Sequence, residues 1–298
     1  MKHVKILIQS RSDRDPDPKR RLMWGDHWVK AELAREFSGL GFSLVDQDAD
    51  VVLHLFGSPP KGPLSDNTYN LVWLYSHPDL VTPESLKQFH RIFCSSHYFL
   101  PKLKAMGYEN VEVMIPSTSK KPLISPHRHD ILFLGNARTS RPDGRSIVRD
   151  VGETPYDFKV WGNLWESMLP PKYYGGRYWD YEKLEHLYAS SRITLTDHHP
   201  DMAREGFVSN KVFDVLASGG FVISDRNPGL SRIFGDAVPQ YDSPQHLKSL
   251  LDHFLAHPEE RGHLMLKGRK IALENTYRHR VLRFSKWILQ GLGEKENA

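Results

Sequence analysis

Residues 204–228 read REGFVSNKVFDVLASGGFVISDRNP. Glu205-Gly206-Phe207 is a tight, glycine-containing loop that the pattern places after a strand. Ser209 or Asn210 then supplies a helix N-cap, and Val212, Phe213, Leu216 and Ala217 recur at the spacing of one helix face. Gly219-Gly220 stops that helix, and the apolar run at 221–224 is a short strand. A loop, a helix start and a strand within 25 residues form the repeating piece of a parallel α/β sheet.

The same alternation extends in both directions. Upstream, apolar runs at 130–134, 158–161 and 193–196 predict strands, with a helix over 181–190; downstream, 237–240 predicts another strand, followed by a helical tail. Earlier still, strands are expected at 4–9, 42–45, 51–55, 71–74, 91–94 and 111–115. Between the two series, residues 116–128 (PSTSKKPLISPHR) carry three prolines and little periodicity, so they read as a linker. The expected fold is therefore α/β, with two Rossmann-like, doubly wound domains facing a cleft, 1–122 and 123–276, and a last helix at 277–298.

Composition bounds the partners. The 298 residues are 39% hydrophobic and 26% charged, as in globular proteins, with 40 Lys and Arg against 36 Asp and Glu. That mild excess suits an anionic ligand such as a nucleotide and argues against nucleic acid as the main partner. Cys94 is the only cysteine, so no intrachain disulfide forms and a reducing cytoplasm is the natural setting. No apolar run reaches membrane-spanning length, and the opening MKHVKILIQS is too short for the apolar core of a signal peptide. Peripheral membrane contact through a basic or aromatic surface stays open.

The chemistry is expected at the start of the helix in the opening stretch. A helix N-terminus offers unpaired amides and partial positive charge, which favours a diphosphate. Lys211 adds a cation in the first turn, and Asp214 lies one turn further on, where a carboxylate suits two ribose hydroxyls. Arg138, Arg141 and Arg145 form a basic cluster that is either a solvated loop or a phosphate clamp, with Arg138 nearest the strand end.

This stretch resembles the donor-binding segment of family 4 retaining glycosyltransferases, and more closely that of their CgeB-like relatives. Their Glu-Gly-Phe loop is matched by Glu205-Gly206-Phe207, and their acidic helix segment by Asp214 through Gly219, followed by Phe221-Val222-Ile223-Ser224. Here the second acid is Asp, nine positions after the first. The resemblance spans roughly residues 130–280 and implies a GT-B enzyme whose last helix, 277–298, opening at Thr276-Tyr277-Arg278-His279-Arg280, crosses back to the first domain. Glu205 would contact the donor sugar, Asp214 the ribose and Lys211 the diphosphate, with Arg138 assisting Lys211. Gly135 and Asn136 would form a glycine loop at the phosphates, Trp161-Gly162-Asn163 would lie near the base, and Gly206, Phe207, Ser209 and Asn210 would complete the donor site.

What the resemblance implies is transfer from a UDP- or GDP-sugar to a glycan, lipid-linked or small-molecule acceptor, retaining and without a metal or other cofactor. Lys211 and Arg138 would stabilise the departing diphosphate, which is the main electrostatic demand. The rival readings are a sugar-nucleotide epimerase, a non-catalytic nucleotide-binding protein of the same fold, and a glycosyltransferase acting on DNA bases.

On the acceptor side, Asp26 and His27 open the first helix, beside Trp24 and Trp28, and His77 and His97 follow strands of the first domain. This helix start is either a capped helix with packed tryptophans or an acceptor wall, with Asp26 a general base if the enzyme inverts. His198, in Asp197-His198-His199-Pro200, is grouped with the acceptor-side residues, as part of a polar loop that also touches the donor sugar. Two adjacent histidines do not readily share one metal, so no metal site is expected there. Asp15-Pro16-Asp17 imitates an Asp-x-Asp metal motif but lies in an Arg/Lys-rich loop and reads as solvated.

Overall fold

The computed structural model describes residues 4–138 and 145–296. VVLHLF and YNLVWL, at Val51–Phe56 and Tyr69–Leu74, are buried at every position. Continuous apolar runs of this kind belong to strands covered on both faces, as in a parallel sheet flanked by helices. With Lys5–Gln9 as β1, Ser43–Leu44 as β2, those two runs as β3 and β4, Arg91–Cys94 as β5 and Val111–Val113 as β6, the first sheet has the order β2-β1-β3-β4-β5-β6. Every pairing in it is parallel.

The second sheet is built the same way from β7 (His129–Leu134), β8 (Phe158–Trp161), β9 (Tyr174–Gly176), β10 (Ser191–Thr196), β11 (Val222–Asp225) and β12 (Gln240–Tyr241). Its order is β12-β11-β10-β7-β8-β9, again parallel throughout. From β7 the chain runs outward one way through β8 and β9, and then the other way through β10, β11 and β12. The reversal opens a switch point between β7 and β10, outside whose carboxyl ends ligands of such sheets bind.

The contacts divide the chain into two units. The first comprises residues 1–116, 204–207 and 276–298; the second comprises 117–203 and 208–275. The first core joins Ile6, Leu53 and Trp73 of the sheet with Val29, Leu33 and Phe37 of the helix Gly25–Gly39. Tyr277, Val281, Phe284 and Ile288 of the helix Tyr277–Glu296 complete it. In the second core, Ile131, Phe133, Ile193 and Ile223 pack with Ile147, Leu247 and Leu251. Among the described residues no helix is long and apolar enough to cross a membrane.

Several local expectations shift. The strand expected at 237–240 is β12, moved towards the C-terminus because Gly235–Ala237 closes one tight 3-10 turn. The helix expected over 181–190 is a 3-10 turn, Tyr181–Lys183, followed by Leu184–Ala189. β9 was not expected, since Tyr174-Gly175-Gly176 has neither alternation nor length. The helix Pro200–Arg204 also intervenes, so the Glu-Gly-Phe loop follows a helix and not a strand. Residues 204–207, expected in the second domain, make their contacts in the first unit.

The stretch read as a linker begins as packed structure. Thr118 N–H donates to Asn275 O (3.0 Å) and Leu123 N–H to Ser218 O (3.1 Å). The buried Lys120 donates to Tyr181 O (2.7 Å), lies 3.5 Å from Glu185 Oε2, and sits 3.8 Å from the Tyr181 ring centre. A buried ammonium needs such acceptors to offset its lost hydration.

Candidate functional site

At the switch point of the second sheet, the loops after β7, β8 and β10 meet the start of the helix Asn210–Ala217. Ser209 is the N-cap, its hydroxyl accepting from Lys211 N–H at 3.4 Å. Val212, Phe213, Leu216 and Ala217 are fully buried, so the apolar face read from the sequence is the packed face. Gly219 turns the chain out of the helix at φ +91.

The loops after β7 and β8 are fastened together. Gly135 N–H donates to Trp161 O (2.8 Å), Asn163 N–H to Asn136 Oδ1 (2.9 Å) and Ala137 N–H to Asn163 O (3.0 Å). Trp165 Nε1 also donates to Gly135 O at 2.6 Å. Gly162 has φ +145, and a β-carbon there would lie 2.2 Å from Gly135 O, so only glycine fits. Gly175 and Gly176 pack beneath the Trp161 indole, which meets Trp179 edge-on at 4.8 Å.

Above these loops cations converge. Arg138 approaches Asp197 Oδ2 at 3.2 Å and Arg145 approaches Oδ1 at 2.5 Å, while the Asp197 side chain is only 2% exposed. Arg138 also donates to His198 O (3.0 Å) and Arg145 to Asn136 O (3.0 Å). Lys211, half-buried, donates to Leu134 O and lies 5.2 Å from the Phe133 ring centre, with Arg145 5.5 Å from the same ring. Burial, then the neighbouring Arg145, push the Lys211 ammonium down to about 7; Arg138 adds to this, and Asp197 and Asp214 oppose it. Among the described residues, Arg138 and Arg145 share the Asp197 carboxylate and Lys211 has no ion pair of its own. This is a concentration of positive charge beside helix amides, suited to a polyanion. Arg141 lies outside the described residues.

His198, read from the sequence as acceptor-side and as following a second-domain strand, lies in the second unit. Its side chain is inaccessible to solvent. Ser209 N–H donates to Nε2 (3.0 Å), so the ring is neutral there and Nδ1–H donates to Asp225 Oδ1 (2.6 Å). Among the described residues no three His, Cys, Asp or Glu side chains group as a metal site. Asp214 is also buried: Thr118 Oγ1 donates to its Oδ1 (2.6 Å) and Asn210 Nδ2 lies 3.4 Å from its Oδ2.

Glu205 is held within the first unit. Lys102 Nζ (2.7 Å) and Arg204 Nε (2.8 Å) both bond its Oε1, and Arg204 also pairs with Asp79. Burial raises the pKa of the Glu205 carboxyl, but these two cations outweigh it and hold it below the usual value. Ser96 Oγ donates to Glu205 O. Gly206 has φ +70, and a β-carbon would meet Tyr98 Cδ2 at 2.6 Å; Phe207 packs edge-on against Phe99 at 5.5 Å.

Of the remaining first-unit candidates, Asp26 and His27 lie in the first turn of the helix Gly25–Gly39, and His77 and His97 lie in the loops after β4 and β5. Asp26 Oδ2 accepts from Ser12 N–H (2.9 Å), tying the loop after β1 to the helix start. His27 meets Trp28 edge-on at 5.1 Å, and burial lowers its pKa. His77, with φ 54, lies beside Ser76 Oγ (3.0 Å) after β4, and His97 is half-buried after β5.

Sequence reading passed over Asp197 as an anchor of arginines, Asp225, and Lys102. Asp197 was visible only as part of an apparent metal motif, and Lys102 carried no local signal. Arg145 was visible as one member of a basic cluster.

Two parallel α/β units, the second with a cationic switch point beside a helix start, suit an anionic ligand, and comparison with known proteins gives the family. Residues 138–286, half of the chain, match the family described as glycosyl transferase-like, and the chain belongs to that family. No curated protein matches the sequence.

Solved structures with this fold include T4 phage BGT in complex with its UDP-glucose substrate (15% identity, TM-score 0.63, covering 96% of this chain and 97% of that one). Sucrose-phosphate synthase from Thermosynechococcus elongatus is similar as well (12%, TM-score 0.64, 98% and 90%). So is an α-glucosyltransferase in complex with UDP-glucose and DNA containing an abasic site (10%, TM-score 0.63, 96% and 99%). The fold is that of GT-B glycosyltransferases, and the chain is a glycosyltransferase by its family.

Proposed function

We propose that the chain transfers a sugar from a nucleoside diphosphate sugar, UDP- or GDP-linked, with retention at the anomeric carbon and without a divalent ion. The observation that carries this reading is the cluster of Arg138, Arg145 and Lys211 around Asp197, beside the amides of the helix Asn210–Ala217. Those three cations take the charge that develops on the departing diphosphate, which other architectures give to a metal. Asp214 serves the ribose by exchanging its bond from Thr118 for one from a ribose hydroxyl, the loops at Gly135 and Trp161 to Asn163 flank the nucleotide, and Glu205 orients the sugar. The finer kinship with family 4 and CgeB-like enzymes rests on the Glu-Gly-Phe loop and the acidic helix after it. The domain limits of the reading, 1–122, 123–276 and 277–298, are part of the same proposal, as is a cytoplasmic site of action.

The test is binding and turnover with UDP- and GDP-sugars. Lys211→Ala and Arg145→Ala should each lose at least tenfold in affinity for UDP or GDP, since each removes a charge-assisted phosphate contact worth about 1.5–3 kcal/mol. Glu205→Ala should retain nucleotide affinity while losing turnover. Undiminished turnover in all three variants would end the proposal, and turnover that disappears on chelation and returns with Mn²⁺ would end its metal-free part.

The acceptor is proposed to meet the first unit through the helix start bearing Asp26 and His27 and the loops bearing His77 and His97. A second acceptor reading has a specific support: one structural relative is held with DNA. The mild charge excess ranks nucleic acid behind glycans, lipid-linked sugars and small molecules. Duplex binding that falls steeply between 50 and 200 mM salt would reverse that ranking.

A further inference from the structure

We infer that His198 and Asp225 are positioning residues for the nucleotide: one imidazole staples the ends of β10 and β11 to the start of the helix Asn210–Ala217. The inference rests on the diphosphate reading above and adds the parts that hold its amide face in place. The His198 ring is fully buried, and both of its nitrogens are committed. Nε2 accepts the N–H of Ser209, the N-cap residue, while Nδ1–H donates to Asp225 Oδ1, and the other Asp225 oxygen receives His198 N–H at 2.9 Å. Ser224 Oγ, also buried, lies 3.0 Å from Asp225 Oδ1 and fixes the carboxylate in turn.

The geometry gives two adjacent residues complementary tasks. The Asp197 side chain spaces the two arginines, and the His198 side chain sets the helix start; both leave the chain where β10 ends. A planar ring with two fixed nitrogens permits little play between Ser209 and Asp225. With the Ser209 N–H held by His198 and the Lys211 N–H by Ser209 Oγ, the Asn210 amide and the Lys211 side chain have a set position relative to Arg138 and Arg145, which is the preorganisation that recognition of a doubly charged group requires. A protonated ring would present a second N–H to Ser209 in place of an acceptor, so the staple works with the neutral form.

Titration of UDP and GDP against the full chain tests this, together with amide exchange across residues 208–213. His198→Phe keeps the ring volume without either nitrogen, and Asp225→Ala removes the anchor. Each should weaken nucleotide binding by about tenfold, the worth of a buried hydrogen bond and the order it imposes. Exchange at 208–213 should rise in both, while the rest of the second unit is unchanged. His198→Gln, whose side-chain oxygen still accepts from Ser209, should stay within about threefold of the parent. Native affinity in His198→Phe and Asp225→Ala, set against a loss in Lys211→Ala, would overturn the staple alone. Native affinity in Lys211→Ala and Arg145→Ala would remove the diphosphate reading itself and the purpose of the staple with it.

Discussion

Lys211 is a cation kept ready at a cost to the fold. Burial and two nearby guanidiniums bring its pKa to about 7, so between pH 7 and the ordinary lysine value the folded chain binds fewer protons than the unfolded one. Stability therefore rises with pH across that window, and at neutral pH the partly charged ammonium is a net burden. Lys211→Met should raise the melting temperature of the second unit by a few degrees, about 1 kcal/mol, while abolishing nucleotide binding. A bound diphosphate favours the ammonium form, so affinity should fall as pH rises through 7, and binding should take up a proton. Calorimetry in buffers of different ionisation enthalpy reads that proton directly. Lys211→Arg should remove the dependence, because a guanidinium stays charged across the range.

Among the elements, the fastened loops after β7 and β8 make the sharpest claim. Gly162 combines φ +145 with a backbone approach that leaves no room for a β-carbon. Gly162→Ala should therefore cost about 2 kcal/mol or more, visible as a lowered denaturation midpoint. It should weaken nucleotide binding as well, since Arg138 stands on one of those loops. Much of this level was legible in the sequence: the buried strands announced themselves as apolar runs, and the helix Asn210–Ala217 by its cap, its apolar face and its closing glycines. β9 was hidden because Tyr174-Gly175-Gly176 is a strand only by virtue of the Trp161 ring and β8 beside it. The helix Pro200–Arg204 is too short for a periodic signal. The partnership of His198 with Asp225 was equally invisible, since 27 positions separate residues that topology makes neighbours.

On the scale of the whole chain, the least readable feature was which unit each segment serves. Nothing local in Arg204–Phe207 says that its partners are Lys102, Asp79 and Ser96, and charge pairing across a hundred positions is fixed only by the fold. The last helix, by contrast, was expected to return to the first domain, and its contacts lie in the first unit. Tyr277, Val281, Phe284 and Ile288 are each no more than 1% exposed there. Arg280 donates to Ile115 O (2.7 Å) and Pro116 O (3.0 Å), and Arg283 pairs with Glu112. Four such apolar side chains contribute about 1.5–3 kcal/mol each, together about 6–12 kcal/mol, which is comparable to the roughly 5–15 kcal/mol that stabilises an ordinary domain. Removing residues 277–298 should therefore unfold the first unit while leaving the second core intact, because that core takes no residue from this helix. Limited proteolysis of the truncated chain should then yield a resistant fragment beginning near Ser117, whose melting temperature still rises with UDP or GDP. A truncated chain that melts as one transition at the parent temperature would show that the helix is dispensable to the first core.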